Sequence, residues 1–216
     1  VDALTCLLTR RTVANLTEPG PTTEQLQAIL TAAVCAPDHK MLRPWRFVVV
    51  RGEARKRLAA AVEAAGVALG LAEPVIAKGG RKATRSPALV AIVASPVAGG
   101  KAPREEQNAS VAAAAQNICL AAHALGLGSA WKSVPLGDSD EVRTIFGLAG
   151  AESLLGWVEL GTPAEVQPRP PRERPTLPEV VTELRADDGF EPMAGPDEAL
   201  VFPLPGEEPL LRRTGG

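Results

Sequence analysis

The chain has 216 residues, enough for one well-filled hydrophobic core and a tail. Its formal net charge of −2 excludes the strongly basic balance that would point to nucleic acid or an anionic membrane as the main partner. Hydrophobic residues at 45% and charged residues at 22% suit an ordinary globular domain, and aromatics at only 3% leave a core of Ala, Val and Leu in closely packed helices.

Leu4, Leu7 and Leu8 recur at helical spacing, so a short amphipathic helix is expected over residues 2–9. It leads into Arg10-Arg11-Thr12. Two guanidiniums and a hydroxyl are fixed donors that suit a phosphate, although solvated Arg pairs at helix ends are the commoner use of such a cluster. Pro19-Gly20-Pro21 makes a turn, and Thr22 with Gln25 fits the reciprocal capping box of a helix whose Leu26, Ile29, Leu30 and Ala33 share one face. That helix is expected to end near Cys35, because Pro37 pushes Ala36 out of helical geometry. The following loop carries Asp38, His39, Lys40 and Arg43 to the mouth of an apolar run, Phe47-Val48-Val49-Val50, which reads as a strand covered on both faces. Polar side chains so placed serve a ligand, a neighbouring subunit or only the loop itself.

A packing helix is expected over residues 54–69. Residues 70–87 carry Pro74, Gly79 and Gly80 among Lys78, Arg81, Lys82 and Arg85. They read first as a mobile solvated helix and turn, and second as a flap whose positive charge meets a dinucleotide's phosphates. Ala88–Ser95 is a second buried strand. Residues 103–126 form the longest helical stretch, with Glu105 and Glu106 complementing the positive end of its dipole and Gly126 closing it. Its interior is apolar almost all round, which places it in the core or at a subunit interface, with Asn108, Gln116 and Asn117 needing partners. The glycines of Gly126-Leu127-Gly128 permit close backbone approach ahead of Trp131-Lys132-Ser133 but lack the full dinucleotide fingerprint. Asp138–Phe146 is a short helix closed by Gly147, and Leu154–Gly161 a third strand. Residues 167–175 are rich in Pro and Arg and expected to be extended; Arg172 and Arg174 precede a final strand over residues 177–184, and the acidic, Pro- and Gly-rich residues 186–216 read as a flexible or draped tail. Domain boundaries are accordingly expected at 1–185 and 186–216.

Apolar runs stop well short of the roughly 18 to 20 residues that span a bilayer. The N-terminal residues lack a signal-peptide plan, so a cytoplasmic location is expected. Cys6, Cys35 and Cys119 have no metal or redox spacing and, with His39 and His123 the only histidines, no disulfide framework or catalytic metal is expected.

In this order, Arg10-Arg11-Thr12, Ala36-Pro37-Asp38-His39 with Pro44-Trp45-Arg46-Phe47 and its valines, the Gln116-Asn117 helix, Gly126–Ser133 and Leu160-Gly161-Thr162-Pro163 resemble the nitroreductase family of flavoenzymes, over about residues 2–184. Several weak motifs in one order are jointly stronger than any alone. The resemblance implies an α+β fold with a mixed central sheet flanked by helices, assembled as an intertwined homodimer with FMN at the interface. It gives the FMN phosphate to Arg10, Arg11 and Thr12 and lines the flavin with Cys35 and His39, His39 reaching across from the other subunit. It also sets Trp131, Lys132 and Ser133 beside the reactive edge of the ring and closes the phosphate site with Arg172 and Arg174. The implied reaction is ping-pong transfer of hydride from NAD(P)H to a small-molecule acceptor, a nitroaromatic, quinone or activated alkene, with the chemistry borne by the flavin and no catalytic side chain. Arg43 stands where the family's Gln is expected. Rival readings are a specialised flavin dehydrogenase on the same fold and a non-enzymatic FMN-binding dimer.

Overall fold

The structure is a computed structural model and describes residues 2–99, 101–134, 136–164, 174–186, 189–193 and 195. The chain divides into two units, residues 10–165 and residues 1–9 with 166–216.

The larger unit is built on one antiparallel sheet. Its strands are β1 (Leu16–Thr17), β2 (Trp45–Arg51), β3 (Ala88–Ala94), β4 (Gly128–Lys132) and β5 (Ser153–Pro163). β5 pairs with β1, β3 and β4, and β2 forms an edge beyond β3. The helices are α2 (Thr23–Ala33), α3 (Ala54–Ala68), α4 (Glu73–Thr84), α5 (Arg104–Ala124) and α6 (Asp140–Phe146). The smaller unit contributes α1 (Ala3–Thr9), α7 (Leu177–Val180), and the paired strands β6 (Thr182–Leu184) and β7 (Phe190–Pro192).

The helices begin and end where local chemistry dictates. Thr22 caps α2 and exchanges hydrogen bonds with Gln25 in the expected box. The Ser139 side chain accepts from Val142 N–H to start α6, and Gly147, at φ 58°, stops it. At the far end of α5, Leu127 N–H returns to Ala122 O across Gly126, which has φ 76°.

β3 is buried at every residue and its period of two feeds two cores. Val90 and Ile92 face α2 and α5, packing with Ile29, Val111 and Ile118. Leu89 and Ala91 face the other layer, with Leu58, Val62, Phe146 and Trp157. At about 1.5–3 kcal/mol for each fully buried aliphatic side chain, these two faces hold the fold together.

The described pairings are all antiparallel, within the expected α+β class. An even number of helices between β2 and β3 returns the chain to the same end of the sheet, which makes those neighbours antiparallel. Four expectations change here. β2 is an edge strand, half-buried for most of its length rather than covered on both faces. Residues 73–84 form a packed helix, not a solvated one, because Ile76, Gly80 and Ala83 are buried. The final strand over residues 177–184 splits into α7 and β6, since Pro178 suits a helix's first turn and Thr176 forms a capping box with Glu179. Within the expected tail, Phe190–Pro192 is a strand on β6, and most of the remainder lies outside the described residues.

Candidate functional site

Arg10, Arg11 and Thr12 lie at the beginning of the larger unit, the two arginines half-buried and Thr12 exposed. Val13 N–H donates to Ser129 O at 2.8 Å, which ties this segment to the first half of β4. The Arg10 charge acts on α5 nearby. It lowers the His123 imidazole, in support of burial, and offsets part of the rise that burial imposes on the Cys119 thiol, where a hydrogen bond with Ser129 offsets more.

Trp131 and Lys132 are the last residues of β4 and Ser133 follows it. At about 3.3 Å per residue, Ser129 and Lys132 are about 10 Å apart. One strand therefore carries the basic cluster at one end and Trp131-Lys132-Ser133 at the other. The Lys132 backbone lies tight against β5, since a Cβ at Gly156 would come within 2.3 Å of Lys132 O. Gly156 has φ 122° and sits where the register of β3 and β5 shifts between Ile92 and Val93. Only glycine accepts both the backbone angle and the contact.

The loop after α2 is a strained 3-10 turn over His39–Met41. Lys40, Met41 and Arg43 all have positive φ, at 65°, 52° and 50°. Asp38 holds the turn in place: its carboxylate accepts from Leu42 N–H at 3.2 Å and from Arg43 N–H at 2.7 Å. It is thus spent inside the loop. The His39 ring meets Glu106 on α5, with Nδ1 2.6 Å from Oε2. The carboxylate can only accept, so Nδ1 carries the proton, Nε2 faces away from Glu106, and Glu106 sets the ring's direction. Cys35 is exposed, and its thiol donates to Thr31 O at 3.3 Å.

Within one chain the expected residues form two groups. Arg10 is beside Cys119 and His123, while His39 is beside Glu106 near the start of α5. At about 1.5 Å of rise per residue, Glu106 and His123 are about 25 Å apart along that helix. Cys35 lies between, because Asn117 of α5 donates to Ala32 O at the end of α2 at 3.0 Å. Arg172 lies outside the described residues. Arg174 lies in the smaller unit, where its guanidinium donates to Leu8 O.

Two further arginines, one from the loop-and-strand motif and one from the basic segment at residues 70–87, are structural. Arg46, next to Trp45, donates to Glu152 and to the terminal carbonyls of α6, Phe146 O at 3.2 Å and Gly147 O at 3.0 Å. Arg85 reaches the fully buried Glu159 on β5 through bonds of 2.6–3.0 Å. Neither partnership was legible, because the partners are far apart in sequence. Glu106 reads in the sequence only as a dipole partner, although it lies on the helix that carries Gln116 and Asn117.

The antiparallel sheet, the apolar helix α5, the doubly basic segment beside β4 and the strained histidine loop form an α+β arrangement whose class the relatives identify. A family model described as the nitroreductase family matches residues 7–162. YdjA of Escherichia coli (strain K12), which carries the name of an NAD(P)H nitroreductase, is 40% identical over 163 residues, covering 76% of this chain and 89% of its own. A nitroreductase-like family protein from Bacillus cereus superposes with a TM-score of 0.68 at 26% identity, covering 81% of this chain and 92% of that one. A nitroreductase with bound FMN from Bacteroides fragilis superposes at 0.66, with 24% identity, 86% of this chain and all of the other. The chain belongs to the nitroreductase family, and is an oxidoreductase.

Proposed function

We propose that the protein is an FMN-dependent oxidoreductase that takes hydride from NAD(P)H and reduces a nitroaromatic, quinone or activated alkene in two successive half-reactions. The observation that carries this reading is the placing of a phosphate-type donor set and a close-packed backbone edge at the two ends of β4. Two guanidiniums and a hydroxyl at Arg10–Thr12 match a phosphate, and the roughly 10 Å to Trp131-Lys132-Ser133 leaves room for a ribityl chain and a flat ring. When bound, FMN supplies the hydride acceptance and the onward transfer of electrons.

The chain's own residues bind and orient. Arg10 and Arg11 neutralise the phosphate and Thr12 adds a hydroxyl donor. The backbone of Trp131-Lys132-Ser133, braced against Gly156, runs along one edge of the ring. His39 is too far along α5 to join Arg10 in the same chain, so it reaches the flavin of the partner subunit in a homodimer packed along α5, while Cys35 lines the flavin. Glu106 fixes the His39 ring toward that partner.

Visible absorption of the purified protein before and after anaerobic NADPH or NADH tests the proposal. Bound flavin that bleaches with a nucleotide, and whose content falls in Arg10→Ala and Arg11→Ala, is the expected result. Protein that holds no flavin and binds none when FMN is added refutes it. Parallel initial-rate lines at several acceptor concentrations are expected for two half-reactions.

A further inference from the structure

We propose that the layer behind β4, remote from the Arg10 cluster, contains a binding site for a small aryl carboxylate. A cavity of about 210 Å³ opens between α3, α4 and the chain leaving β4. Its body is apolar, formed by Val62, Leu71, Val75, Val134 and Leu136. A cavity of about 150 Å³ lined by apolar side chains accepts benzene, so this one holds a single substituted ring and is too small for a dinucleotide.

One polar feature gives the occupant its chemistry. Lys78 and Lys82 line the cavity one helical turn apart on α4. Among the described residues neither is in an ion pair. Trp157, which lines the floor, is 2% exposed. An aryl carboxylate suits this lining: its ring fills the apolar body against the Trp157 side chain, and its carboxylate lies between the lysines.

Ser133 and Val134 also line this cavity, directly after Lys132. The site is therefore the back wall of the segment that the proposed function sets beside the flavin.

The test is a titration of the full-length protein, with whatever flavin it retains, by benzoate and by benzamide. Indole ¹H–¹⁵N resonances report the binding. The Trp157 signal is assigned by elimination with Trp45→Phe and Trp131→Phe, so the core residue stays intact. Benzoate is expected to shift the Trp157 resonance saturably at about millimolar concentration, as befits a fragment-sized ligand. Benzamide is expected to bind about tenfold more weakly, and the Lys78→Gln/Lys82→Gln variant to lose about tenfold for benzoate while keeping its flavin content. Equal affinity for the two compounds, an unchanged Kd in the double variant, or a change in flavin absorbance with the Trp157 signal unmoved would each overturn the proposal. A protein that binds no FMN even when it is added, yet binds benzoate at Trp157, would refute the proposed function and leave this site standing.

Discussion

Arg46 and Glu152 form a two-pronged ion pair, with Nε 2.9 Å from Oε1 and Nη2 2.7 Å from Oε2. The guanidinium's hydrogen bond, with help from Ala149 N–H, holds the Glu152 carboxyl at about 2, and the same pair raises Arg46 further above its already high value. A depressed folded-state value means that the stabilisation is complete above the ordinary carboxylate range and is lost as pH falls toward 2. Thermal unfolding is expected to soften between about pH 4.5 and 2. Glu152→Gln should flatten that part of the profile, and a profile unchanged by the substitution would remove this pair as its cause.

Glu159 is fully buried and depends on Arg85, whose side chain is partly exposed. Arg85→Ala strands a carboxylate in the core, and is expected to cost about 3 kcal/mol or more in urea unfolding. Arg85→Ala combined with Glu159→Gln should recover part of that loss, because no buried charge then remains. Equal stability of the single and double variants would refute the argument.

Gly156→Ala places a Cβ against Lys132 O and forces an unfavourable φ. About 2–3 kcal/mol of stability should be lost, with chemical shifts moving at Lys132 and Ser133. Gly126 is the control. Its φ is also positive, at 76°, but nothing lies within 4 Å of an added Cβ, so Gly126→Ala should cost only about 1 kcal/mol.

Asp38→Ala removes both acceptors that hold the strained turn. Amide exchange at Leu42 and Arg43 should accelerate strongly, while global stability falls by only about 1 kcal/mol. Met41→Gly should act in the opposite direction, relieving a positive φ and stabilising the loop. Protection at Leu42 that survives in Asp38→Ala would show that packing, not the carboxylate, holds the turn.

Local chemistry was the legible part of the sequence. The Thr22–Gln25 box, the Gly147 stop and the continuous apolar run of β3 all emerged as expected. Gly79 and Gly80 read as breaks in the pattern because a sequence does not show what approaches them. Val62 of α3 stands 3.0 Å from where a Gly79 Cβ would lie, and Glu63 fills the space at Gly80, so these glycines are contact points between α3 and α4. Arg46 and Asp38 were recognised in a motif, yet their side chains turn inward to partners that spacing could not reveal. The candidate residues stand out in the sequence as short motifs. Their separation along α5 does not, because periodicity gives a helix its face and not its neighbours.

β5 has a consequence for how the chain comes to fold during synthesis. β1, β3 and β4 all find their partner in the segment Ser153–Pro163, the last of the larger unit to leave the ribosome. Until it emerges, β2 and β3 form only an isolated hairpin-like pair, and the strand that later sits at the centre leaves an open, fully apolar edge on β3. Nascent chains stopped before residue 153 should therefore be captured by chaperones, and release should come within a few residues of Pro163.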